Sequence, residues 1–346
     1  MLYYYVMLYY NINLKQIKTM KKIHLISALI GLLAFSTLAK ADLKVVTSIK
    51  PIHSLASYIM DGVGSPGLIV DGYNSPHSFQ LKPSHAKMLE QADIIFWIGE
   101  DLENFLEKPL ATIAMKAEKI ELLEINGIKK LKFRERNIFD EHDDHGHDAK
   151  KEEHDDDDDH GHDAKKEEHD DHEGHGHGEY DPHIWLDPIN AKVILNEITE
   201  HLIENDSKNA STYKSNLAKA LAKIDKLIID VITETNKDLS YVVFHDAYQY
   251  YEKEFGLNSA GSISLNPEIS PTPKRIDEIK SKIRQSNVVC IFKEPQFSSK
   301  VVQTIIKDTN AKEGTMDPLG FDLKPGRDLY LQLMDKLTKS LKDCLS

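Results

Sequence analysis

The sequence predicts an α/β fold with largely parallel sheets and two domains, and three observations carry that expectation. Short β-rich runs alternate with amphipathic helical patterns along most of the chain, which is how strand–helix units read. At 346 residues the chain exceeds what one hydrophobic core usually organises. A third signal is a long, unbroken helical pattern over residues 207–239, where Leu217, Leu221, Ile224, Ile228 and Val231 draw one apolar stripe. Such a helix is long enough to run the length of two domains. Packing along its own domains is preferred to a coiled coil, because the stripe covers only about two heptads.

Taken in order, the expected strands are Leu43 to Ser48, Gly67 to Val70, Asp93 to Ile98, Ser240 to His245 and Val288 to Phe292. Amphipathic helices are expected at Ser84 to Ala92 and Asp101 to Ala114. A further helix should open at Asp187-Pro188, where the Asp can cap free N–H groups and the Pro fits the first turn without losing a bond.

Ahead of these elements the chain reads as an export leader. Lys21-Lys22 precede the apolar run Ile23 to Leu38, and Ala39-Lys40-Ala41 forms an A-x-A cleavage site. The run is shorter than the roughly 20 apolar residues a membrane span needs. Mature protein is expected from Asp42, with Met20 as an alternative start that leaves Met1 to Thr19 upstream. No Cys near the cleavage point offers a lipid anchor, so a soluble protein of a Gram-negative periplasm is expected. Cys290 and Cys344 are the only cysteines and fit one bridge pinning a C-terminal helix in such an oxidising compartment; two free thiols are the other reading.

The formal charge of −13 is unevenly spread. Residues 1–41 contribute +5 and residues 140–179 contribute −15, so the remainder is only −3. A body so near neutrality offers no basic stripe for nucleic acid. The acidity belongs to an insert, residues 140–179, in which the run from His145 repeats from His160 with a period of 15. Almost devoid of large apolar groups, this stretch is expected to be disordered. It carries His142, His145, His147, His154, His160, His162, His169, His172, His175 and His177 among its carboxylates, a composition that binds divalent metals weakly and in number.

Elsewhere histidines are few. His77 follows Pro76 in a loop after a strand, His183 precedes the capped helix in Pro182-His183-Ile184-Trp185, and His245 closes the strand Tyr241 to His245. Loops at the carboxyl ends of strands are where open α/β sheets bind ligands. Asp317, in Thr315-Met316-Asp317-Pro318-Leu319-Gly320, is a fourth candidate. His53, His85 and His201 are read as ordinary core or surface histidines, His201 on the solvent face of its helix.

Several stretches resemble the substrate-binding protein of the high-affinity zinc ABC importer, in the metal-specific cluster A-I (cluster 9) solute-binding family. They are Leu81-Lys-Pro-Ser84, Pro182-His-Ile-Trp-Leu-Asp-Pro188, Val243-Phe-His-Asp-Ala-Tyr248, Glu294-Pro-Gln-Phe297 and Thr315-Met-Asp-Pro-Leu-Gly320, in the family's order, with the histidine-rich insert where zinc-type members carry theirs. The resemblance implies two α/β lobes joined by one long rigid helix, with the metal site between the lobes. It makes His77, His183 and His245 the three ligand histidines and Asp317 the carboxylate that can complete the shell. The organisation expected on this basis is a leader (1–41), an N-terminal lobe (42–206) containing the insert, a linking helix (207–239) and a C-terminal lobe (240–346).

Three imidazoles and a carboxylate suit tetrahedral Zn²⁺, whereas manganese-type relatives use a harder set of two His and two carboxylates. Because Pro76 stands where some zinc-type members carry a carboxylate, the fourth ligand is left open between Asp317 and water. The implied function is capture of Zn²⁺ in the periplasm and its delivery to the membrane permease of an ABC importer driven by a cytoplasmic ATPase, by a monomer that is not an enzyme. Alternatives are a manganese, nickel or copper importer protein, a stand-alone zinc buffer, and, remotely, a zinc hydrolase. Against the last, there is no H-E-x-x-H and no G-x-S-x-G; His172-Glu-Gly-His175 brings the second His one residue early.

Overall fold

The computed structural model describes residues 42–134, 178–234, 239–257, 259–264, 267, 269–286 and 288–345. The predicted leader and the histidines of the insert lie outside these residues.

From Leu43 onward the chain builds two four-stranded sheets. The first contains β1 (Val45–Thr47), β2 (Gly67–Leu68), β3 (Ile94–Trp97) and β4 (Glu118–Glu121) in the order β2-β1-β3-β4. The second contains β5 (Tyr241–His245), β6 (Ser259–Ser264), β7 (Cys290–Lys293) and β8 (Lys312–Thr315) in the order β6-β5-β7-β8. All six pairings are parallel, and the two sheets share one topology. Nine helices stand in the described residues: α1 (Lys50–Ile59), α2 (Pro83–Glu90), α3 (Glu100–Thr112), α4 (Pro188–Asn205), α5 (Ala210–Glu234), α6 (Gln249–Phe255), α7 (Pro273–Gln285), α8 (Lys300–Ile306) and α9 (Leu329–Leu345).

The inner strands β1, β3, β5 and β7 are buried on both faces and read as continuous apolar runs, as parallel strands covered by helices must. β4, β6 and β8 had no counterpart in the sequence reading. Each lies at a sheet edge, and their sequences EKIE, SAGSIS and KEGT lack an apolar run. α4 starts as expected: Asp187 Oδ1 accepts the Ile189 N–H at 2.8 Å and Pro188 occupies the first turn.

The long helix begins later than its pattern suggested. A 3₁₀ turn over Ser207–Asn209 precedes it, and α5 spans 25 residues, about 37 Å. Tyr213, Ala220, Ile224, Leu227 and Val231 are its buried apolar residues, while Leu217, Leu221 and Ile228 are partly buried, so the contact face is rotated slightly from the predicted stripe. α5 packs on α1 and α4 of the first lobe and on α9. A disulfide joins Cys290 in β7 to Cys344 in α9, with the Cα atoms 5.9 Å apart. It fixes α9 to the second sheet. Among the described residues no helix is long and apolar enough to cross a membrane.

Candidate metal centre

The two sheets present the carboxyl ends of their strands to one another, and the candidate ligands gather there. His245 is the last residue of β5, and Glu294 follows the last residue of the neighbouring strand β7. Strand order reverses between β5 and β7, the position at which open parallel sheets leave a crevice. His77 sits in the 3₁₀ turn Pro76–Ser78 beyond β2, where Ser75 Oγ accepts its backbone N–H at 3.3 Å. His183 heads the 3₁₀ turn Ile184–Leu186 just ahead of α4.

The three imidazoles converge. Their ring centroids are 5.3 to 5.8 Å apart, and one ligand atom from each lies within 4.8 Å of the others. His183 and His245 are buried and His77 is half-buried. Each buried ring is braced from behind by a carboxylate: His183 Nδ1 is 2.6 Å from Asp181 Oδ1, and His245 Nδ1 is 2.6 Å from Glu294 Oε1. A neutral imidazole that donates from Nδ1 presents its Nε2 lone pair on the opposite side. The two Nε2 atoms face each other at 3.5 Å. Nitrogens bound at 2.0–2.1 Å to a tetrahedral ion lie about 3.3–3.4 Å apart, so this pair already stands at nearly the chord a zinc ion spans.

Asp181 is itself fully held. Its Oδ1 also accepts the backbone N–H of His183 at 2.9 Å, its Oδ2 accepts from Gln249 Nε2 at 2.6 Å, and its carbonyl accepts from the Tyr250 hydroxyl at 2.8 Å. Glu294 Oε2 is buried without a hydrogen-bond partner. Burial opposes charging of His245, but the adjacent Glu294 carboxylate, with Asp246 and Asp181 beyond it, outweighs burial and raises the imidazole pKa. Asp246 is pushed up to about 7 by burial, against the pull of Arg134, whose guanidinium lies 2.7 Å from Asp246 Oδ1 and 2.6 Å from Glu252 Oε2.

Asp317 is placed differently from the histidines. Its carboxylate accepts the backbone N–H groups of Leu319, Gly320 and Phe321 at 3.1, 3.0 and 2.6 Å. Gly320 takes φ 69° in this turn, a conformation that Cβ would strain. Burial raises the Asp317 pKa while these three N–H groups oppose the rise. Its oxygens are not among the converging ligand atoms.

The remaining histidines lie apart. His53 is buried in α1, near Ser57 Oγ at 3.4 Å, and burial lowers its pKa. His85 Nδ1 accepts the Lys82 N–H at 3.2 Å at the start of α2. His201 is not on a solvent face: its side chain is 20% exposed and lies between carboxylates of α4 and β4. Asp181, Gln249 and Glu294 are participants that the sequence reading did not assign. Asp181 stands two residues before His183, and Glu294 opens the stretch Glu294-Pro-Gln-Phe297 immediately after a strand, which were the available signals.

The chain matches, over residues 45–344, the sequence profile of the periplasmic component A of zinc-uptake complexes, ZnuA. It is 46% identical over 333 residues to the high-affinity zinc uptake system protein ZnuA of Brucella suis, covering 95% of this chain and 99% of the relative. The protein of the same name from Yersinia pestis is 34% identical over 338 residues, covering 95% and 98%. A crystal structure of ZnuA superposes with a TM-score of 0.68 at 21% identity, covering 88% of this chain and all of that one, which is a likeness of fold.

Proposed function

Because this chain belongs to the family of ZnuA, the periplasmic component A of zinc-uptake complexes, we propose that it captures Zn²⁺ in the periplasm and hands it to the permease of an ABC-type importer. Zn²⁺ is cargo here, and the chain is a binding protein rather than an enzyme. The observation that carries the assignment is the convergence of His77, His183 and His245, two of them carboxylate-backed, at the mouth between the sheets.

His77, His183 and His245 are the ligands in this reading. The carboxylates behind His183 and His245 hold each ring in the tautomer that presents Nε2 and make that nitrogen a better donor. Such preorganisation supports nanomolar capture, which needs about −12 kcal/mol. Water fills the fourth position, since Asp317 would have to give up three backbone hydrogen bonds to reach the ion. The histidines of the insert supply weaker sites that gather ions around this one. The permease is the partner contacted directly, and the chain acts as a monomer.

Competitive zinc titration of the full chain against a chromophoric chelator tests the assignment. The triple change His77→Ala, His183→Ala, His245→Ala should abolish the one tight site and leave the weak sites of the insert. Retention of a nanomolar site in that variant would overturn the ligand set.

A further inference from the structure

A second group of metal-ligand side chains stands on the back of the first lobe, away from the crevice. Glu118 is the first residue of β4, whereas the crevice lies at the strands' carboxyl ends. His201 and Glu204 are one turn apart on α4, and His201 lies about 20 Å along that helix from its start beside His183. Ligand atoms of Glu118, His201 and Glu204 lie within 4.8 Å of one another.

The imidazole is arranged as a ligand histidine would be. His201 Nε2 is 3.2 Å from Glu197 Oε1, one turn back on the same helix, in hydrogen-bonding geometry. In a neutral ring whose proton is on Nε2, that bond leaves the Nδ1 lone pair for a metal ion. Nδ1 is buried and makes no hydrogen bond, although Glu118 Oε1 is 2.8 Å away. A lone pair and a carboxylate oxygen at that separation repel unless a proton or a metal ion joins them, so a divalent ion here takes the place of the proton that would otherwise pair His201 with Glu118. Asn205 Nδ2 holds the other Glu118 oxygen at 2.9 Å, and Phe96 packs on the edge of the imidazole. The orphan carbonyls at the end of α4 add negative potential at the same spot. One nitrogen and two solvent-exposed carboxylates make a donor set for a borderline divalent ion.

We propose that Glu118, His201 and Glu204 form a second Zn²⁺ site, oriented by Glu197 through the far nitrogen of His201, and separate from both the crevice and the insert. It uses the arrangement seen in the crevice with the ring reversed: carboxylate on Nε2, ion on Nδ1. The proposal does not depend on the transport assignment.

The test is a Zn²⁺ titration of the full chain at fixed pH with ring-¹⁵N-labelled histidine, the His201 signals being assigned by His201→Gln. The His201 Nδ1 resonance should move to a metal-bound position with its own midpoint. Glu118→Gln and Glu204→Gln should each raise that midpoint at least about tenfold, while the signals of His77, His183 and His245 titrate as before and report an intact fold. A His201 resonance that stays put while the other histidines saturate overturns the site. So does a midpoint that neither Glu variant changes.

Discussion

Replacing Glu294 by Gln removes one negative charge and almost no volume, at a position where the charge is expected to matter twice. In the native chain Glu294 Oε1 lies 2.6 Å from His245 Nδ1, with both side chains buried. A hydrogen bond to a charged group contributes about 1.5–3 kcal/mol and a neutral one about 0.5–1.5, so the exchange weakens the brace by about 1–1.5 kcal/mol. Loss of the carboxylate's longer-range attraction for a dication adds to this. Zinc affinity at pH 8 should therefore fall by about 10- to 100-fold, the range found when carboxylates behind metal-bound histidines are removed. The second effect has the opposite sign. Glu294 is the leading reason that the His245 pKa is raised despite burial, and a proton on His245 competes with zinc. Without Glu294, burial lowers that pKa, so the variant loses less affinity between pH 8 and pH 6 than the native chain does. The ratio of the two dissociation constants should narrow on acidification. By the same linkage, the native ion pair stabilises the metal-free fold fully below the unfolded histidine pKa, ~6.5, and that contribution is lost as pH rises through the raised value. Chelator competition at the two pH values reads both effects. Equal affinities at pH 8, or a ratio that widens at pH 6, would refute the reasoning.

Three further outcomes are expected. Glu103 is fully buried, with Oε2 accepting from the N–H groups of Ile98 and Gly99, and burial pushes its pKa up to about 7. Its folded pKa is raised, so the native fold loses stability as pH rises from about 4.5 to about 7; Glu103→Gln should remove this loss, about 3 kcal/mol, and urea unfolding at pH 4.5 and pH 8 should show the variant gaining only at the higher value. Changing both Cys290 and Cys344 to Ser opens a loop of sequence separation 54 and should cost about 4 kcal/mol in thermal or urea unfolding, with the zinc stoichiometry unchanged. Lys50 Nζ donates to the carbonyls of Phe321, Leu323 and Gly320 at 2.9, 3.4 and 3.5 Å across the lobes; Lys50→Met should cost about 1–3 kcal/mol and speed zinc release in stopped-flow chelation.

Legibility in the sequence followed burial. Strands buried on both faces, such as Ile94–Trp97 and Tyr241–His245, announce themselves as apolar runs, and the boundaries read from the sequence were close to those observed. The edge strand Lys312–Thr315 faces water, takes polar residues and carries no period to read, while the edge strand Ser259–Ser264 is buried but built of small residues that leave no apolar run. The histidines were legible because His245 closes a strand, His183 stands just ahead of a helix start and His77 lies in the loop that follows a strand, the places where open sheets bind ligands. Their braces were not, because a carboxylate that supports an imidazole need only be near it in space: Glu294 is 49 residues from His245. His201 was misread for a related reason. Position along α4 does not reveal that β4, itself unread, covers that face.

The bracing also constrains how the cargo can leave under the proposed function. His183 belongs to the first lobe, yet its partner Asp181 is bonded by Gln249 and Tyr250 of α6 in the second. Two residues on, Trp185 Nε1 donates to the Pro318 carbonyl at 2.8 Å, and the Tyr330 hydroxyl donates to the Trp185 carbonyl at 2.9 Å. The lobes therefore cannot part without pulling on the segment that carries His183, while His245 stays with β5. α5, packed against helices of the first lobe and against α9, resists wide opening. Little opening is needed. Zn–N bonds are 2.0–2.1 Å long, so a displacement of about 1 Å between His183 and His245 removes one ligand from bonding reach. A permease that separates the lobes by that amount converts a tight site into one with two histidines, and release follows from loss of geometry without any large hinge motion.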